Sequence, residues 1–115
     1  MERKYYMLCQ NDRRNSNRYD CEINTIIYPQ NAEIEGVIKD ISLNGVKIKL
    51  DNNKGIPSNI EIPCWLYYRK YNQKFLCKLI LTLTRQTKDE YCFKIKKYDD
   101  TYNLLYNLLA SESVF

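Results

Sequence analysis

The sequence predicts an all-β domain: six short antiparallel strands and one C-terminal helix, arranged as a barrel or sandwich with the helix packed on it. Three observations support this. Runs rich in β-branched and aromatic residues succeed one another from Cys21 onward, divided by Pro, Asn and Gly clusters. Within those runs, apolar residues alternate with charged ones. After Asp99 the apolar period lengthens to that of a helix.

Each element can be read in turn. "CEINTIIY" ends at Pro29, with "PQN" as a turn. "AEIEGVIKDIS" runs to "LNG", where Asn44 and Gly45 are expected to form a hairpin turn. "VKIKL" places Val46, Ile48 and Leu50 on one face and Lys47 and Lys49 on the other. "DNNKGIPS" is a loop by composition. In "NIEIPCWLYYRKY", Pro63 predicts an edge position or a bulge. "KFLCKLILTLTRQT" sends Phe75, Cys77, Leu79, Leu81 and Leu83 inward, and "EYCFKIKKY" does the same with Tyr91, Phe93 and Ile95. In "DDTYNLLYNLLASE", Tyr102, Leu105, Tyr106 and Leu109 share a helical stripe, and Asp99 or Asp100 is placed to cap it. The aromatic cluster of Trp65, Tyr67, Tyr68 and Tyr71 is expected to pack as core and strand, with a partner-facing patch or a stacking wall for a base as the alternative. The face of Leu104, Leu105, Leu108 and Leu109 is expected in the core, with dimerisation as its second use.

Composition narrows the function. A chain of 115 residues with 44% hydrophobic residues has room for one domain and a core. No run is long enough to span a membrane, and "MERKYYMLCQND" lacks the apolar centre of a signal peptide, so a cytoplasmic protein without membrane insertion is expected. Histidine is absent, which removes the commonest general base and every His-based acyl-transfer triad. No enzyme activity is expected. Cys9, Cys21, Cys64, Cys77 and Cys92 form no CxxC pair, so no metal site is expected and the cysteines read as reduced fillers. Cys9 and Cys21, beside an arginine-rich loop, are the candidates for redox sensing. The net charge of +4 is spread along the strands, unlike the footprint of a dedicated DNA or RNA binder.

Two stretches carry the functional signal. In "NDRRNSNRYD", Arg13, Arg14 and Arg18 account for three of six arginines, among residues that favour turns. A guanidinium can grip guanine O6 and N7, bind a phosphate or stack on a purine. Arg14 and Arg18 lie about 13 Å apart in an extended loop, a span that could clasp a small dinucleotide. In "DISLNG", Asp40 and Ser42 point to one face of an extended chain. Gly45 follows Asn44 where positive φ is expected and where backbone can approach a ligand. A carboxylate beside a hydroxyl suits the N1 and N2 hydrogens of guanine, although Asp40 and Ser42 could instead merely close the turn.

Arg14-x-x-x-Arg18 followed by Asp40-x-Ser42-x-x-Gly45 resembles the paired RxxxR and [D/N]xSxxG signature of the PilZ domain family. The resemblance covers nearly the whole chain from about Asn11. It implies a six-stranded antiparallel β-barrel with a C-terminal α-helix and a bacterial receptor for cyclic di-GMP. The implied division is an N-terminal segment at 1–10, an arginine loop at 11–20, the barrel at 21–97, the helix at 99–110 and a tail at 111–115. It also implies that Arg13, Arg14, Arg18, Asp40, Ser42 and Gly45 bind the ligand. The arginines would clasp phosphate and guanine, Asp40 would accept from a guanine edge, Ser42 would position loop or ligand, and Gly45 would allow the turn. Arg13 bears on whether one ligand or an intercalated pair is held. No cofactor other than this ligand is implied. With no second domain, output is expected to pass from a monomer or weak dimer to a separate effector protein. Two other readings compete: a PilZ-like adaptor that binds only protein, and a basic barrel that binds single-stranded nucleic acid, which leaves DxSxxG without a role.

Overall fold

The computed structural model describes residues 17–51 and 55–112. Six strands, β1 (Tyr19–Ile27), β2 (Ile34–Ile41), β3 (Gly45–Leu50), β4 (Ile62–Lys70), β5 (Gln73–Gln86) and β6 (Glu90–Tyr98), precede one helix, α1 (Asp100–Glu112). They form a closed barrel in the order β1-β2-β3-β6-β5-β4, with β4 returning to β1 and every pair antiparallel. Of the two architectures open to the pattern, it is the barrel.

Alternation sets the interior. Ile23 and Ile27, Val46 and Ile48, Cys64 and Leu66, Cys77, Leu79 and Leu81, and Tyr91 and Phe93 all point inward and are buried. Leu83, the last residue of the β5 stripe, is only partly buried. α1 lays Tyr102, Leu105, Tyr106 and Leu109 against the barrel. Asp99 caps it: the carboxylate accepts from the Tyr102 amide at 3.0 Å through Oδ1 and from the Lys78 amide at 3.0 Å through Oδ2. One side chain thereby starts the helix and fastens it to β5.

Several expectations are corrected. β1 begins at Tyr19, so the arginine segment gives way to strand two residues earlier than the pattern placed it. Tyr19 and Asp20 pair with Ile41 and Asp40, and the Tyr19 ring packs 5.3 Å from that of Tyr106. The helix reaches Glu112, whose carboxylate meets Lys70 at 2.8 Å. Pro63 is not on an edge, because the closed barrel has none. It stands one residue beyond the last β1–β4 pair, Ile27 with Cys64, where its carbonyl accepts from the Tyr28 amide at 2.9 Å and the missing N–H breaks no ladder. Trp65, Tyr67 and Tyr71 are exposed by 38%, 45% and 82%, while Tyr68 faces inward against Phe75, so the aromatic cluster is mostly surface. Leu105 and Leu109 are buried as expected, but Leu108 is only partly buried and Leu104 is 60% exposed, so the leucine face is not all core.

Candidate functional site

The site is built on the β2–β3 hairpin. Between β1 and β2, and again between β2 and β3, the register shifts by one residue near Asp40. Against β3 the extra residue lies in β2, between Ile38 and Asp40, and lets Ile38 and Ile41, three apart, both enter the core at 0% exposure; against β1 it lies in β1, between Asp20 and Ile23. Lys39, half-buried, and Asp40, buried, consequently sit side by side near the end of the barrel where β1 begins.

The hairpin loop is Ser42–Asn44, and Gly45 is already the first residue of β3. Neither Asn44 nor Gly45 has positive φ, which corrects the expected Asn-Gly turn. Glycine is required for a different reason: a Cβ at Gly45 would stand 2.7 Å from the Phe93 carbonyl oxygen on β6. Ser42 organises the loop. Its hydroxyl accepts from the Asn44 and Gly45 amides at 3.1 and 3.0 Å and donates to the Gly45 carbonyl at 3.2 Å. That uses the bonding capacity of the hydroxyl and leaves the loop, rather than a ligand, as its partner.

Asp40 is placed differently. Its side chain is 12% exposed, between Arg18 at 3.4 Å and Lys47 at 3.6 Å. The Arg18 contact to Oδ1 is an ion pair without hydrogen-bond geometry, so this buried oxygen accepts no hydrogen bond among the described residues. A carboxylate oxygen in that condition is unusual and calls for a donor.

Asp40 opens onto a shallow groove of ≈ 500 Å³ lined by Asp20, Cys21, Glu22, Lys39, Asp40, Lys47 and Glu90. Lys39 pairs with Glu22 at 2.9 Å, and Lys47 also approaches Glu90 at 4.0 Å. Lys39, Lys47 and neighbouring Arg18 therefore face four carboxylates. Sequence reasoning missed Lys39, Lys47, Asp20 and Glu90. Lys47 was legible as outward-facing, but its pairing with Asp40 depends on bulges that no motif announces. The Cys21 thiol, bonded to the Ile38 carbonyl at 3.7 Å, is pushed up to about 12 by burial first, then by Asp40 and Asp20. It holds little thiolate at neutral pH, which counts against the redox-sensing expectation for Cys21. Arg13, Arg14 and Cys9 lie outside the described residues. No trio of His, Cys, Asp or Glu suited to a metal occurs among the described residues, and no helix among them is long and apolar enough to cross a membrane.

Helix α1 holds both motif ends. The Tyr102 hydroxyl donates to the Ser42 carbonyl at 2.7 Å, and the Tyr106 hydroxyl donates to the carbonyl of Asn17, next to Arg18, at 3.0 Å. Arg18, Asp40, Ser42 and Gly45 are thus gathered at one end of the barrel.

The model of the PilZ domain family matches residues 12–111. The chain belongs to that family, a class of binding domains whose members are generally cyclic di-GMP receptors. Two solved structures share the fold. The inhibitor of motility MotI/DgrA from Bacillus subtilis superposes with a TM-score of 0.77 at 14% identity, over 90% of this chain and 52% of that one. This chain therefore spans about half the length of that protein. The PilZ domain of CeSA from a cellulose-synthesizing bacterium gives a TM-score of 0.58 at 14% identity, over 85% of this chain and 99% of that one. No curated protein matches the chain by sequence.

Proposed function

We propose that the chain is a cyclic di-GMP receptor that reads guanine through Asp40 and signals to a protein partner. The observation that carries this is the buried Oδ1 of Asp40, which has cations beside it but accepts no hydrogen bond among the described residues. Guanine N1–H and N2–H would supply donors that the described residues do not. Ser42 and Gly45 act behind Asp40, by fixing the loop and the approach of β3 to β6.

Charge assigns the arginines their part. The groove has four carboxylates against Lys39, Lys47 and Arg18, so it cannot by itself attract a ligand bearing two phosphates. Arg13 and Arg14 supply the missing cations, and binding draws their segment onto the groove. For that, Arg18 exchanges its 3.4 Å contact with Asp40 for the ligand. Ordering of the segment alters the surface that a partner protein meets.

The test compares cyclic di-GMP binding by equilibrium dialysis in the wild type, Asp40→Ala and Arg14→Ala/Arg18→Ala, with hydrogen exchange followed over residues 8–20. Binding is expected in the wild type alone, with slowed exchange in that segment. Equal binding by all three folded proteins would refute the site, and unchanged exchange under saturating ligand would refute the ordering step.

A further inference from the structure

The outer face of β4 and β5 lies across β1 from the groove and takes no part in it. Neither strand contains an acidic residue. On this face Trp65 stands opposite Lys78, Tyr67 opposite Leu76, and Arg69 opposite Lys74. Trp65, Tyr67 and Leu76 are exposed by 38%, 45% and 56%, and together they make a continuous apolar strip. A strip of this kind on a small domain marks an interaction surface. Arg69, Lys74 and Lys78 border it and form no salt bridge among the described residues, in contrast to Lys70, which Glu112 neutralises.

We infer that this face docks a protein segment that combines acidic with apolar side chains. Covering the strip removes aromatic surface from water, and carboxylates around it meet three cations that have no countercharge among the described residues. Two other occupants fit less well. A second copy across a two-fold axis would set this cationic border against itself. Single-stranded nucleic acid needs open ring faces, but the Lys78 ammonium stands 5.7 Å over the Trp65 ring and the neighbour of Tyr67 is aliphatic Leu76. The inference rests on the proposed function only in taking the partner to be a protein; it does not require that cyclic di-GMP binds.

Trp65 is the single tryptophan of the chain and so reports on the face directly. A random displayed library of peptides of about a dozen residues is selected on the wild-type protein. Enriched peptides are then titrated, with and without cyclic di-GMP, while Trp65 emission is read. The expected peptides carry Asp or Glu beside apolar residues and shift Trp65 emission to shorter wavelength. They bind Lys74→Glu/Lys78→Glu about tenfold more weakly, at an unchanged melting temperature. Enriched peptides without acidic residues, equal binding to the variant, or a silent Trp65 would overturn the inference. So would saturable binding of oligothymidylate at Trp65, or sedimentation showing a dimer that buries it. Absent nucleotide binding with these peptide results intact would sink the receptor reading alone.

Discussion

Ser42 and Gly45 belong to a motif that resembles a ligand site, yet the structure engages both in holding the hairpin. Replacing Ser42 with alanine strands the Asn44 and Gly45 amides, and a loss of about 1–3 kcal/mol is expected in urea unfolding. Gly45→Ala must push β3 away from the Phe93 carbonyl, with an expected loss of about 1–3 kcal/mol. Tyr71 behaves in the opposite sense. It occupies the two-residue β4–β5 turn at φ 55°, a conformation that L side chains resist. Tyr71→Gly is expected to raise stability by about 0.5–1 kcal/mol, and a lowered urea midpoint would contradict this reading of the turn. The sequence pattern put the break one residue late, at Asn72–Gln73, because "YN" carries none of the usual glycine signal.

At the scale of elements, α1 determines how the two motifs meet. Asp99 both caps the helix and binds the Lys78 amide, so Asp99→Ala is expected to cost about 1–2 kcal/mol and to loosen the helix from β5. Tyr106→Phe removes only the hydroxyl that holds the Asn17 carbonyl beside Arg18. Its expected effect is a several-fold weaker affinity for cyclic di-GMP with a melting temperature close to wild type. An affinity equal to wild type would separate the helix from the site. The strands and this helix were legible from period alone, because Val46, Ile48 and Leu50 or Tyr102, Leu105 and Leu109 leave little choice of face. The bulges around Asp40 were not legible. They arise from how β1, β2 and β3 share a register around a closed barrel, and no local residue pattern encodes that. Trp65 and Tyr67 misled for a related reason: aromatic β-propensity does not say which side of a barrel wall is wet.

For the molecule as a whole, buried thiols and the buried Tyr102 phenol, all raised by burial, act against stability at alkaline pH. Burial pushes Cys64 and Cys77 up from 9.0 to about 12. Above pH 9 the unfolded chain releases these protons while the folded one keeps them, so the unfolded state gains and stability falls as pH rises toward 12. The urea midpoint is expected to decline over that window, and less steeply in Cys64→Ala/Cys77→Ala. An equal slope in the variant would assign the decline to other groups. The barrel, meanwhile, separates two surfaces across β1: a groove short of cations on one side and a cationic apolar face on the other. In the proposed function the groove depends on Arg13 and Arg14 for the cations it lacks. Binding of cyclic di-GMP through the arginine segment is the central claim, and calorimetric titration of the wild type and of Arg14→Ala/Arg18→Ala with cyclic di-GMP tests it most directly. The account predicts saturable heat in the wild type, with a stoichiometry of one ligand or an intercalated pair, and none in the folded variant. A folded wild type that gives no heat and is not competed for by any guanine nucleotide would contradict it, and would leave a PilZ adaptor that binds protein alone.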